Sequence, residues 1–143
     1  MGERFDPGVL ETLAESASGL GTLPERMGIR VTEASAQRVV GTLPVDGNTQ
    51  PFGLLHGGAS CALAESLGSI GASLHALQSF GGYALGLEIS ATHHRSARSG
   101  VVTGVATPLH LGGTIATYEI AITDEDDRRV CTARLTCLLR RPP

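Results

Sequence analysis

HGGASCALAESLGSIGASLHAL, residues 56–77, contains no proline and only one carboxylate or cationic side chain, Glu65. Apolar and small residues occupy its whole helical circumference, and a helix of that kind has to be covered on most sides. Four glycines, Gly57, Gly58, Gly68 and Gly71, lie in it, and each lowers helix propensity by roughly 1 kcal/mol relative to alanine. A cost of that size implies close backbone contacts with a surrounding sheet or a neighbouring subunit.

The flanks of this helix read as strands. From Gly28 to Val45, Ile29, Val31, Val39, Gly41, Leu43 and Val45 alternate with polar neighbours and predict one long strand. DGNTQPFG, residues 46–53, is dense in turn formers and predicts a loop. After the helix come four strand-like runs, 85–92, 101–107, 114–123 and 129–139. In the first, Leu87, Ile89 and Ala91 share a face; in the second, Val101 and Val105 do. In the last, Cys131, Ala133, Leu135, Cys137 and Leu139 share one, and the acidic turn Asp124–Asp127 joins it to the run before. Upstream, residues 7–17 predict a short amphipathic helix opened by Pro7, and 19–24 a connector. The chain therefore divides into an N-terminal helix and connector, 1–24, and one domain, 25–143. A long covered helix among antiparallel strands is an α+β architecture with the sheet curled over the helix. One edge strand or one face is left to be covered, which predicts sheet-to-sheet dimerisation.

Composition narrows the function classes. With 143 residues there is room for one core. Three Phe, two Tyr and no Trp leave no aromatic platform for stacking single-stranded nucleic acid. A net charge of −3 lacks the basic footprint of a general nucleic-acid binder. Cys61, Cys131 and Cys137 give neither a disulfide framework nor zinc-knuckle spacing. The first residues carry acids throughout and no apolar signal core. No run approaches the roughly 18 apolar residues of a membrane span. The expectation is a reduced, cytoplasmic protein without membrane attachment.

Glu65 is the residue that needs an explanation. A carboxylate on an otherwise apolar helix is rarely buried unless paired or functional. Desolvation would raise its pKa toward the range of a base or nucleophile working near neutrality. At this point two readings stand level: a catalytic carboxylate, or an acid that faces solvent or pairs with Arg134. Ser69, at i+4, lies within reach to orient it. Upstream, QPFGLLHGG, residues 50–58, ends in a glycine pair that opens the helix. Backbone N–H groups there point outward at the positive end of the helix dipole, which is what an oxyanion hole requires. Against this stands an ordinary turn at Gly57–Gly58, and a structural hydrogen bond from His56. Eight residues separate Gly57 from Glu65, roughly 12 Å at about 1.5 Å per residue. A catalytic carboxylate has to come within about 3 Å of the carbon whose oxygen the donors hold. One helix does not supply both, whereas two helices from paired subunits do. Cys61 reads as a small core residue. His93 and His94, adjacent in a strand, point to opposite faces, and His75 and His110 have no ligand spacing, so no metal is expected.

These segments resemble a known family. QPFGLLHGGASCALAESLGS, then ATHHRSARSGVVTGVATPLHLGG and ITDEDDRRVCTARLTCLL, are similar to the hotdog-fold thioesterases of the phenylacetate-pathway type. The branch most resembled acts on 4-hydroxybenzoyl-CoA and 1,4-dihydroxy-2-naphthoyl-CoA. The resemblance implies hydrolysis of an aromatic or aryl-acetic acyl-CoA, with Glu65 as nucleophile or general base. It implies that Gly57 N–H polarises the thioester carbonyl, that Gln50 and His56 place the carbonyl or the water, and that Ser69 orients the carboxylate. It further implies a site shared between subunits of a homo-oligomer, a dimer of dimers forming a homotetramer, and no cofactor. Arg95, Ser96 and Arg98, in the loop after the 85–92 run, are candidates for the CoA phosphates, with Gly58 beside them and Arg140 and Arg141 as weaker ones. Relatives often carry a basic residue where this chain has Gly113, which puts a nucleotide contact there in doubt. Two other readings remain open: a hotdog dehydratase or hydratase, and a non-catalytic acyl-CoA-binding module.

Overall fold

The computed structural model describes residues 21–143, so the helix expected over 7–17 lies outside the described residues. The elements are a short helix α1 (Leu23–Met27), strands β1 (Arg30–Ala34) and β2 (Val39–Pro44), the central helix α2 (Gly57–Phe80), and strands β3 (Tyr83–His93), β4 (Val101–Leu111), β5 (Ile115–Thr123) and β6 (Arg129–Arg140). All six strands form one antiparallel sheet in the order β1-β2-β4-β5-β6-β3, and α2 packs against every one of them. This is the hotdog arrangement, a sheet wrapped over one long helix.

The core sits between α2 and the concave face of the sheet. Leu63, Ala64, Leu67 and Ala72 of the helix are fully buried, opposite Leu43, Val102, Ala106, Ile120, Ile122, Leu135 and Cys137. Each large aliphatic side chain so buried contributes about 1.5–3 kcal/mol. The alternation expected in 129–139 holds, with Cys131, Ala133, Leu135, Cys137 and Leu139 all inward. Glycines make the close approach possible. A Cβ on Gly68 would lie 2.6 Å from Leu135 Cδ2, and one on Gly71 would lie 2.7 Å from the Tyr118 ring. The propensity lost at these positions is exchanged for contact between helix and sheet.

Three expectations are corrected. The single strand expected over 28–45 is a hairpin: a turn at 35–38 splits it, where Ser35 Oγ accepts from Arg38 N–H at 3.0 Å and Ser35 N–H donates to Arg38 O at 2.9 Å. The side-chain turn competes locally with an extended backbone, which a purely alternating pattern does not reveal. The connector over 19–24 gives way to α1, with Pro24 in its first turn and Gly28 closing it at a left-handed φ of 78°. Leu87 does not share a face with Ile89 and Ala91. The β3–β6 register shifts between Gly86 and Glu88, so Leu87 is the extra residue of a β-bulge and stands exposed.

The two sheet edges differ. β1 is short and itself irregular between Val31 and Glu33, features that protect an edge. β3 is an 11-residue edge with Tyr83, Leu85 and Leu87 exposed.

Candidate active site

The loop before α2 is bracketed from several sides. Val45 N–H donates to Gly100 O, His56 N–H to Asn48 O and Leu55 N–H to Ala97 O, all at 2.8–2.9 Å. Asn48 Nδ2 donates at 2.8 Å to both Met27 O and Pro44 O, tying the loop to α1 and β2. The junction that results presents donors. His56 is the N-cap of α2, and its Nδ1 accepts from Gly58 N–H at 2.8 Å. That bond needs the Nδ1 lone pair, so a neutral His56 carries its proton on Nε2 and offers an N–H outward. Gly57 N–H has no acceptor among the described residues, and it stands at the positive end of a 24-residue helix. Gln50 Oε1 accepts from the N–H groups of Phe52 and Leu54, which leaves the Gln50 amide NH₂ as the outward end. Gln50, His56 and Gly57 thus each present a donor and no competing acceptor. Gly58, in contrast, spends its N–H on the cap.

Glu65 lies two turns along α2 and is exposed within one chain. The desolvation expected of it is therefore not supplied by the chain itself. Its carboxylate has no hydrogen-bond or ion-pair partner among the described residues, and it rests over the edge strand at Gly86, where a Cβ would lie 2.5 Å from Oε1. Arg134 stands exposed on the convex face of the sheet between Ser90 and Glu119, away from it. The structure shows no Ser69–Glu65 bond; the Ser69 hydroxyl instead approaches the Cys137 thiol. Burial, then the Glu65 charge, push the Cys61 thiol above its ordinary range. Burial also raises Cys131, to about 11. Thiols so held are poor nucleophiles at neutral pH.

Sequence reasoning missed His93. A Cβ on Gly57 would lie 2.9 Å from His93 Nε2, so the imidazole packs directly on the helix start that carries the free N–H. Strand parity contained the signal: Ile89, Ala91 and His93 pair with Leu135, Ala133 and Cys131 on the helix side. His94 points the other way and bonds Thr132 Oγ1 at 3.0 Å.

Arg95, Ser96 and Arg98 line a cleft of about 290 Å³ between the 94–100 loop and the β5–β6 turn, facing Asp124, Glu125, Asp126 and Arg128. The acids there are largely committed. Asp124 accepts from the N–H groups of Asp126 and Arg128 at 3.0 Å and from Arg128 Nε at 2.9 Å. Desolvation pushes the Asp124 carboxyl up, but these bonds outweigh it and hold it below the usual carboxylate range. Asp126 also meets Arg128, and Glu125 caps the Val101 N–H. Arg95 and Arg98 are the cations left unpaired among the described residues of the cleft. Arg141 stacks over Phe80, 4.6 Å from the ring centroid, away from this cleft's lining.

Comparison with known proteins gives the family. The family model of the Thioesterase superfamily matches residues 52–131. The proofreading thioesterase EntH of Cronobacter turicensis is 50% identical over 124 residues, 86% of this chain and 89% of that protein. EntH of Klebsiella pneumoniae is 46% identical over 88% of this chain and 91% of its own length. Among solved structures, thioesterase HI1161 of Haemophilus influenzae superposes with a TM-score of 0.85 at 38% identity, covering 97% of this chain and 93% of that one. A mutant of thioesterase PA1618 of Pseudomonas aeruginosa gives 0.83 at 41% identity, covering 91% and 92%. The chain belongs to the thioesterase superfamily, as a hotdog-fold hydrolase of thioesters.

Proposed function

We propose that the chain hydrolyses an aromatic or aryl-acetic acyl-CoA to the free acid and CoA, at a site built by two copies of the chain. The observation behind this reading is the division of labour along α2. Its start, with Gln50, His56 and Gly57, offers only hydrogen-bond donors, while its one acid, Glu65, lies unpaired at the open edge of the sheet. Antiparallel pairing of two β3 edges about a twofold axis runs two α2 helices past one another and brings Glu65 of one copy toward the helix start of the other. The partner then supplies the desolvation that one chain lacks.

In this site the thioester oxygen accepts from Gly57 N–H, with the outward N–H groups of Gln50 and His56 holding the carbonyl or the water. Charge that develops on that oxygen meets fixed donors and a helix dipole. Glu65 either attacks the carbonyl carbon, expelling CoA thiolate and leaving an anhydride that water opens, or removes a proton from the water that attacks. Both routes consume one water and release one acid and one thiol. Arg95 and Arg98, their charge uncommitted to the neighbouring acids, hold the CoA phosphates at the cleft, with Ser96 between them.

The test is a panel of aryl, aryl-acetic and medium-chain acyl-CoAs assayed for thiol release by wild type and Glu65→Ala. The expected loss is on the order of 10³-fold or more, as for removal of a nucleophile or base. Wild-type turnover by the variant would refute the assignment, and a preference for medium-chain substrates would remove the aromatic specificity while leaving the mechanism.

A further inference from the structure

We infer that Gly86 is the positioning residue for the Glu65 carboxylate: its bare Cα, on the edge strand beside the bulge at Leu87, is the seat that fixes where the acid stands. The inference rests on the catalytic reading of Glu65 given above.

Gly86 pairs with Cys137 in the β3–β6 ladder and is exposed. A glycine within a strand weakens it and has no side chain to pack, so its presence marks a bulge or a close approach. Both apply here. The register slips by one residue immediately after Gly86, at Leu87, and among the described residues, chain neighbours aside, the atoms within 4 Å of a Cβ built on Gly86 belong to the Glu65 carboxyl, Oε1 at 2.5 Å and Cδ at 3.5 Å. No real Cβ tolerates the shorter of these distances. Backbone conformation does not require the glycine, because its φ is not in the left-handed region. What fills the space a side chain would take is the mobile end of Glu65, its carboxylate. The Glu65 charge also raises the neighbouring thiols Cys61 and Cys137, on the helix and on the strand paired with β3.

The seat substitutes for the hydrogen-bond partners that Glu65 lacks within the chain. A glutamate has three rotatable bonds and loses rotamer freedom when it is held. A flat glycine floor on one side and the helix on the other restrict where the carboxylate goes without neutralising it or adding a donor that would weaken its basicity. Misplacement of a reacting group by about 1 Å costs on the order of 10²-fold in rate. A methyl group at this position displaces the carboxylate by a distance of that order, since the contact has to open from 2.5 Å to an ordinary separation of about 3.5 Å.

The experiment compares wild type, Gly86→Ala and Glu65→Ala by steady-state kinetics on the best acyl-CoA of the panel, by size-exclusion chromatography and by thermal unfolding. For Gly86→Ala the structure calls for unchanged assembly, a midpoint within a few degrees of wild type, kcat lowered on the order of 10²-fold and KM within about threefold. That split is the signature of a displaced reacting group, which a general weakening of the edge strand does not produce. A kcat within threefold of wild type overturns the inference. So does failure of Gly86→Ala to fold or assemble, because the added methyl would then be meeting something other than the mobile tip of Glu65. If Glu65→Ala is inactive while Gly86→Ala is not, the catalytic role of Glu65 stands and only the seat falls. If Glu65→Ala turns over like wild type, the catalytic reading itself is lost.

Discussion

A site divided between two chains makes a quantitative prediction for mixed oligomers. Glu65→Ala protomers keep the donors of Gln50, His56 and Gly57 but lack the acid; Gln50→Ala protomers keep the acid but lack one donor. Eight residues of α2 separate Gly57 from Glu65, roughly 12 Å along the axis, so neither protomer can assemble a site from its own helix. In a twofold dimer with free exchange, equal mixing makes about half the dimers heterologous. Each of these holds one site with both parts intact and one with both parts broken, so the mixture recovers about a quarter of wild-type turnover per chain. The parents fall far below this: on the order of 10³-fold down for loss of the acid, and about 10²–10³-fold for loss of an oxyanion-type donor. The assay is thiol release after co-refolding, with differently tagged chains proving that heterodimers formed. Activity no greater than the average of the parents, with heterodimers demonstrated, would refute the shared site and the helix-rise argument behind it.

Two further predictions concern the frame around the site. Gly71→Ala gains roughly 1 kcal/mol of helix propensity, but its methyl would lie 2.7–2.9 Å from Tyr118, whose hydroxyl donates to Ala36 O at 2.6 Å and cannot retreat freely. Overpacking costs about 1–3 kcal/mol, with a similar penalty if that buried bond breaks, so the net is destabilisation by about 1–3 kcal/mol; a raised midpoint at equal protein concentration would contradict the packing described. Cys131 is held up to about 11 by burial and by the Cys61 thiolate. Its protonated form is favoured by folding, a contribution complete below the ordinary thiol range and lost as pH rises toward 11. Iodoacetamide at pH 8 should therefore leave Cys131 and Cys137 unmodified in the native protein and label them in urea, and stability should decline as pH rises from about 9; rapid native labelling would show that these thiols are not enclosed.

What could be read from the sequence follows from what period and composition encode. The central helix was legible because its residues are small and apolar all round, a property of consecutive positions. The inward face of β6 was legible from its alternation. The hairpin at Ser35–Arg38 was not, because a four-residue side-chain turn barely disturbs an alternating pattern and the polar residues within it look like strand residues on a solvated face. Leu87 departs from the face that simple alternation gives it because a bulge shifts parity by one, and nothing in the run announces the extra residue except the glycine before it.

The site divides along the same line. Gln50, His56, Gly57 and Glu65 stood out as residue types that the local pattern did not need, and such exceptions are visible one position at a time. Gly86 and His93 were invisible because each does what its own element permits: a glycine in an edge strand, a histidine at a strand end. Their meaning lies in what α2 brings against them, Glu65 over one and Gly57 under the other, a relation between residues 21 and 36 positions apart that no local pattern carries. The same reasoning explains why Glu65, conspicuous in the sequence, stands exposed in a single chain. An acid selected for a pocket that only a second copy closes will look anomalous on its helix and unfinished on its monomer. On the proposed two-chain site, its lack of a hydrogen-bond partner among the described residues of one chain is what a carboxylate completed by a second copy would show.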